Sequence, residues 1–389
     1  MLKSLPLLPI LVDYRTVAAF WTERVESLAL AALRNRSRVR GIALGNLKPR
    51  DVTFLLLGPL SNPFPELESL EICPNYDFNY RGNLIFPATL LSGSASRMRR
   101  LTLRGGVLRC LSPLLLSATG LVELTLTLEV ENSALPEASF IANLQRMSHL
   151  RRLELDVKGI PIRDGWRPPA ATGEIVPLSN LMQLIFSGCT SYLEALLVVL
   201  AAPSLQHLDA ELTRGTGASP THLCRFICDT HNQFHMVRLD FSHWQLKFTA
   251  ETRFKSINAR TFRIIFPEPI SLEEIGNGLS RLLSTVKELV IGEVYGAPQS
   301  ILNTFQWCRF FAHFQQVKFV QVPSQVVLDV VLHLDGQEPP MDLLPALEQI
   351  KVHMTHHKRV PTGIREALKP LITARKQVGR PIGIRMSLT

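Results

Sequence analysis

Long hydrophobic runs are missing from this chain. Its longest apolar stretches are cut by proline or charge before the ~20 residues that a membrane-spanning helix requires, so no membrane partner is expected. Aromatic residues make up only 7% of the sequence, and leucine takes their place as the bulky apolar residue. The six cysteines (73, 110, 189, 224, 228 and 308) are scattered, without the spacing of a disulfide framework. Reduced thiols in an intracellular protein, cytoplasmic or nuclear, are the expectation. A nucleophile elbow, a phosphate loop, a dinucleotide glycine fingerprint and a His-Glu-x-x-His helix are also absent. Neither enzyme activity nor a cofactor is expected. Disorder is excluded by what is present: 46% of residues are apolar and only 19% charged.

The opening Met1-Leu2-Lys3 with Leu5 to Val12 imitates a signal peptide. Pro6 and Pro9 interrupt it and no small-residue cleavage site follows, so it reads as an extended strand. The net charge of +9 is concentrated at the other end. From Thr355 to Thr389 eight basic residues face Glu366 alone, a local +7, which leaves +2 for the rest of the chain. A solvated terminal helix accounts for this more simply than nucleic-acid binding, which is not expected.

What is abundant is a repeat. Apolar-x-x-apolar-x-apolar recurs at Val39/Ile42/Leu44, Leu67/Leu70/Ile72, Met98/Leu101/Leu103, Leu121/Leu124/Leu126, Leu150/Leu153/Leu155 and Leu181/Leu184/Phe186. It continues at Leu205/Leu208/Ala210, Met236/Leu239/Phe241, Ala259/Phe262/Ile264, Val286/Leu289/Ile291, Phe314/Val317/Phe319 and Leu347/Ile350/Val352. The units recur at about 28 residues, the period of a leucine-rich repeat that holds one strand and one helix. Between them lie helix signals. Ser271-x-x-Glu274 is a capping box ahead of Ile275, Leu279 and Leu282, and Ser219-Pro220 precedes Leu223, Phe226 and Ile227. Helix and strand alternating at fixed period predict an α/β fold, an irregular leucine-rich-repeat solenoid with a curved parallel sheet inside and helices outside. The array is expected over residues 1–362, in about twelve units of roughly 28 residues from Val39. A basic capping helix and tail should fill 363–389, with Ile364, Leu368, Leu371 and Ile372 inward and Pro370 bending or breaking the helix. Such repeats usually place Asn or Cys nine residues into the unit; only Asn75 and Cys189 do so here, which predicts an incomplete asparagine ladder.

In each strand the residue between the last two apolar positions points away from the core. That column reads Ala43, Glu71, Thr102, Thr125, Glu154, Ile185, Asp209, Asp240, Arg263, Val290, Lys318 and Lys351. Its charged members, Glu71, Glu154, Asp209, Asp240, Arg263, Lys318 and Lys351, are the candidate partner-binding residues. Acids precede bases along the column, so it reads either as chance on a solvated face or as a dipolar groove that orients a partner.

Metal and nucleophile candidates are weaker. Cys224, Cys228, His231 and His235 have the residue types of a zinc site, yet the pairs are too close for the usual intervening turn, and a helix end with buried thiols explains them. His353, His356 and His357 beside Lys358 and Arg359 read as an exposed loop, and Cys308 with His313 reads as core packing among Phe305, Phe310 and Phe311. No metal is expected. Asn35-Arg36-Ser37 is a glycosylation sequon by letters only.

Several segments occur in an order that resembles the leucine-rich part of fungal F-box proteins. They are Leu5-Pro-Leu-Leu-Pro-Ile-Leu-Val-Asp-Tyr14, Arg38-Val-Arg-Gly-Ile-Ala-Leu44, Phe64-Pro-Glu-Leu-Glu-Ser-Leu-Glu-Ile72, Ser191-Tyr-Leu-Glu-Ala-Leu-Leu197, Met341-Asp-Leu-Leu-Pro-Ala-Leu347 and Ala374-Arg-Lys-Gln-Val-Gly-Arg-Pro381. In that family an F-box docks the adaptor of a cullin-based ubiquitin ligase and the repeats select the substrate. The resemblance therefore implies a protein substrate or ligand as partner. It begins at the family's first repeat strand, and Thr16 to Leu33 is too short for an F-box, so the adaptor is expected as a partner only if an F-box lies upstream. A stand-alone ligand- or inhibitor-binding scaffold, unconnected with ubiquitin, is the alternative.

Overall fold

Each repeat unit folds as a tight turn that feeds a strand. The Leu67 amide donates to the Phe64 carbonyl (3.1 Å), Met98 to Ala95 (3.0 Å), Leu121 to Ala118 (3.2 Å), Leu150 to Met147 (3.0 Å) and Leu181 to Leu178 (3.0 Å). Both ends of each turn are apolar and buried, which fixes where the strand starts. The structure, a computed structural model, describes residues 8–15, 23–74, 84–93, 95–107, 112–128, 137–157, 175–213, 219–230, 233–242, 245–252, 260–267, 272–294, 309–324, 343–354 and 364–388. The chain divides into two compact units, Met1–Leu205 and Gln206–Thr389. Both are mixed α/β, with an open and mostly parallel sheet.

The first unit contains β1 (Ile10–Tyr14), α1 (Glu23–Leu33), β2 (Val39–Gly45), α2 (Pro49–Leu57), β3 (Ser69–Cys73), β4 (Leu84–Ile85), β5 (Arg100–Val107), α3 (Ser112–Ser117), β6 (Glu123–Leu128), α4 (Glu137–Gln145), β7 (Arg152–Asp156), β8 (Val176–Pro177), β9 (Gln183–Cys189), α5 (Thr190–Val199) and β10 (Leu200–Ala201). Its sheet runs β1-β2-β3-β5-β6-β7-β9, parallel throughout, while β4 extends β5 and β8 pairs with β10. The pairing carries Ile42, Leu70, Leu101, Leu124, Leu153 and Leu184 in one row, and Leu44, Ile72, Leu103, Leu126, Leu155 and Phe186 in the next. All of these are at most 1% exposed, so the repeat read from the sequence sets the register here. The asparagine role falls one position earlier than expected. Asn46, at φ 57°, donates its amide to the Cys73 carbonyl (3.1 Å) and its side chain to the Arg15 carbonyl (2.7 Å), tying three neighbouring strand ends together. Asn75 lies outside the described residues, and Cys189 is a buried thiol at the entry to α5.

The second unit contains β11 (His207–Thr213), α6 (Thr221–Thr230), β12 (Met236–Phe241), β13 (Gln245–Glu251), β14 (Thr261–Pro267), α7 (Leu272–Leu283), β15 (Glu288–Val294), β16 (Phe319–Pro323), β17 (Gln349–Met354), α8 (Ile364–Gln377) and β18 (Gly383–Leu388). Its sheet order is β11-β14-β13-β12-β15-β16-β17-β18. The repeat pattern misses β13, which pairs antiparallel with both β12 and β14 and so reverses the order of these three strands. Two units are also out of step. Leu289 pairs with Val237 and Val320, so the core triplets are Phe234/Val237/Leu239 and Val317/Val320/Val322 rather than those ending at Phe241 and Phe319. In an apolar-rich segment both registers satisfy the pattern, and hydrogen bonding to β15 selects the one that leaves Phe319 42% exposed.

The end of the chain keeps its helix but not its tail. Ile364, Leu368 and Leu371 of α8 are buried, while Ile372 is half-buried. Pro370 does not break α8, because it and Glu366, whose carbonyl loses its helical donor, both lie on the exposed side. Arg375, counted among the solvent-facing bases, is instead 3% exposed and donates to the carbonyls of Leu343 and Leu344. Burial and the nearby Arg380 hold its pKa below the usual arginine range. The segment after α8 is a strand, β18, paired parallel with β17 through Ile384–Ile350 and Met386–Val352.

Gly278 of α7 allows α6 to approach closely. A Cβ there would stand 2.8 Å from both Cβ and Sγ of Cys224. Gly278→Ala should therefore lower stability by about 1–3 kcal/mol, despite alanine's better helix propensity. Denaturant titration beside the double variant Gly278→Ala/Cys224→Gly, which restores the space, checks this; equal stability of Gly278→Ala and wild type would contradict the close approach.

Candidate functional site

Residues one step beyond each core position come together on the open side of the sheet. In the first unit the row is Asp13, Ala43, Glu71, Thr102, Thr125, Glu154 and Ile185. In the second unit, Asp209 faces Arg263, which continues through Thr249, Arg238, Val290, Gln321 and Lys351 to Arg385. Glu71, Glu154, Asp209, Arg263 and Lys351 thus hold the sheet-face positions expected for them. Asp240 is displaced from the second row by two residues, and its carboxylate lies over Gly292, where a Cβ would meet Oδ1 at 1.8 Å. Lys318 precedes β16 and pairs with Glu348 at 2.6 Å; Gln321 takes the place expected for it.

The acids of the column are already answered by arginines of this chain. Arg15 pairs with Asp13 at 2.6 Å and with Glu71 at 3.4 Å. Glu154 accepts from Arg152 (2.8 Å) and Arg104 (3.1 Å). Asp209 accepts twice from Arg263, once at 2.8 Å. Asp240 accepts from Arg238 at 2.9 Å and lies 3.8 Å from the Lys247 Nζ. Hydrogen bonding to Arg15 lowers the Asp13 pKa, and hydrogen bonding to Asp209 raises that of Arg263. Burial, followed by the charge of Glu71, pushes the Cys73 thiol up to about 11, so it is protonated at neutral pH. The order of charge along the sequence is therefore not a separation of charge in space, since Arg263 stands beside Asp209.

Sequence reasoning missed these arginines, although the signal was available. Asp13/Arg15, Arg152/Glu154 and Arg238/Asp240 are each two residues apart, and a strand with a period of two puts such pairs on one face. In the second unit a polar chain also crosses the face. Gln321 donates its amide N–H to Glu288 and accepts at Oε1 from His353 Nε2 (2.8 Å), while His353 Nδ1 meets Ser387 Oγ at 3.1 Å. Burial, with Lys351 and Arg238 nearby, lowers the His353 pKa, which favours the neutral ring.

The remaining candidates that the structure describes are packing residues. Cys224 is buried against α7, Cys228 Sγ lies 3.6 Å from the Gly278 carbonyl, and the His235 amide donates to the Glu251 carbonyl. His231, His356, His357 and Cys308 lie outside the described residues. His313 packs against Gly276, and burial lowers its pKa. Among the described residues no group of His, Cys, Asp and Glu is placed to hold a metal ion. No helix there is long and apolar enough to cross a membrane. A scan against protein-family models finds no match, and a search of the curated proteins finds none either.

Proposed function

We propose that this protein is a non-enzymatic recognition module, an irregular leucine-rich-repeat solenoid that selects a protein substrate for an F-box-type ubiquitin-ligase receptor. The repeated register supports the recognition reading. Turn, core residue, face residue and core residue recur across β2, β3, β5, β6, β7 and β9, so one side of the sheet packs as core and the other presents a broad, mostly polar surface. Such surfaces bind extended partners without a deep pocket. The receptor reading is supported by the ordered likeness of the six segments from Leu5 to Pro381.

Reversing Asp209, Asp240 and Lys318 would break pairs internal to the chain as well as alter the surface, so the face is better tested where it is uncharged. Thr102→Arg with Ile185→Arg places two bulky cations on the row of the first unit, at half-buried positions, and should cost no more than about 1 kcal/mol per site, which denaturant unfolding checks. Affinity purification with mass spectrometry should recover a protein partner with wild type and lose it roughly tenfold or more with the double variant. An unchanged partner set would contradict use of this face. Joined to an F-box, the chain should direct ubiquitin transfer to the captured protein; capture without transfer would contradict the receptor role alone.

A further inference from the structure

A groove of about 770 Å³ runs along the turns that precede the strands of the first unit, away from the row of the sheet face. Its origin is a local exception in the repeat. Where the turn before β5 carries Arg97 and Arg99, and the turn before β7 carries His149 and Arg151, the turn before β6 carries Gly120 and Val122. Backbone bonds hold these positions in line: the Val122 amide donates to the Arg99 carbonyl (2.8 Å), and the Arg151 amide to the Val122 carbonyl (2.8 Å). The missing bulk at Gly120 and Val122 opens a cleft between two cationic walls. Arg99 and Arg151 stand two strand spacings apart, ~10 Å.

The charges on these walls are unequal in their commitments. Arg97 is paired with Glu66, and Glu68, the acid on the rim, lies 3.7 Å from Arg40. Neither Arg99 nor Arg151 forms an ion pair among the described residues, and both are exposed. Two available guanidiniums face each other across a floor of glycine and valine.

We infer that this groove binds an acidic, extended peptide segment of a partner protein, with carboxylates on Arg99 and Arg151 and its backbone over Gly120 and Val122. The inference rests on the protein-recognition reading and names the chemistry of the partner. Three observations favour a peptide. The groove reaches from Glu68 to Asn180, across five consecutive turns, which is ~19 Å or the span of about six extended residues. Carboxylates two or three residues apart on such a strand are ~7–10 Å apart, matching the two arginines. The described lining holds no phenylalanine, tyrosine or tryptophan for bases to stack on, and His149 is its one ring, whereas single-stranded nucleic acid is usually held on several successive aromatic side chains.

The test is fluorescence anisotropy of a labelled hexaglutamate peptide with the full chain, beside hexaglutamine and an oligonucleotide of equal charge. Hexaglutamate should bind saturably and more weakly as salt rises, whereas hexaglutamine should not bind. Arg99→Glu with Arg151→Glu should weaken binding by roughly tenfold or more. Gly120→Leu keeps every charge but fills the cleft, and should weaken it as much. A Cβ at Gly120 meets only the Met98 and Ser96 carbonyls, at 3.6 and 3.7 Å, so this variant should melt with the wild type. Binding that persists in the sheet-face variant Thr102→Arg/Ile185→Arg but not in the groove variants supports the groove; the reverse pattern overturns it and leaves the recognition reading intact. Peptide binding unaffected by either groove variant, or groove variants that affect only the oligonucleotide, would also overturn it.

Discussion

Replacing Leu124 or Leu153 with alanine should destabilise the first unit by ~2–5 kcal/mol, the sum of lost transfer energy and the cavity left behind. Both side chains are 0% exposed and sit mid-row, between Leu101 and Leu184, with a parallel strand on either side. Neighbouring strands are hydrogen-bonded along their length, so the sheet cannot close in to fill the gap. Leu70→Ala and Leu184→Ala should behave alike. Glu123, next to Leu124, provides the contrast: it is exposed, and its replacement by alanine should change stability by under about 0.5 kcal/mol. Denaturant unfolding measures both. A loss below 1 kcal/mol at most of the four leucines would mean that the rows are not the core.

Removing residues 363–389 should have an even larger effect. The deletion uncovers the side that Ile364, Leu368 and Leu371 close, worth roughly 5–9 kcal/mol of burial at ~1.5–3 kcal/mol per side chain. It also strips β18 from β17, which leaves a row of strand donors and acceptors without partners. The shortened chain should aggregate, as measured by light scattering, or unfold at markedly lower denaturant. A chain ending at Ile382 separates the two contributions, because it keeps α8 and the buried Ile382 and loses only β18 and Thr389. If the full deletion remained monomeric and equally stable, α8 and β18 would have no closing role. Arg375 makes a further difference within the helix: removing its guanidinium leaves the Leu343 and Leu344 carbonyls without that donor.

The candidate sheet face was legible in kind but not in arrangement. Period-two alternation was enough to place Glu71, Glu154, Asp209, Arg263 and Lys351 on the open side, because a strand has no other way to orient them. It could not say which strands lie side by side. The column was read in chain order, yet the hairpin of β12 and β13 brings β14 next to β11 and hence Arg263 next to Asp209. Local spacing was enough to find Arg15, Arg152 and Arg238 beside their acids, but Arg104 reaches Glu154 from another strand, a separation in sequence that no local spacing reveals. The groove between Arg99 and Arg151 was invisible as well, since it depends on Gly120 and Val122 being smaller than their counterparts in the neighbouring turns.

Repetition alone determined the mixed α/β character of this protein, its preference for parallel strands and the register of its first unit. Six successive triplets from Val39 to Phe186 carry the same apolar spacing, and a one-residue slip in any strand would turn its core side chains into water. In the second unit the same pattern is ambiguous, because Phe314/Val317/Phe319 and Val317/Val320/Val322 satisfy it equally. There the tertiary structure decided, through the hydrogen bond from the Phe319 amide to the Lys287 carbonyl (3.1 Å), which sets Phe319 beside Glu288, the antiparallel insertion of β13 and the pairing of β18. Apolar periodicity states which side chains seek the core. Only pairing between distant strands determines which neighbours they meet there, and therefore which charges face one another on the other side.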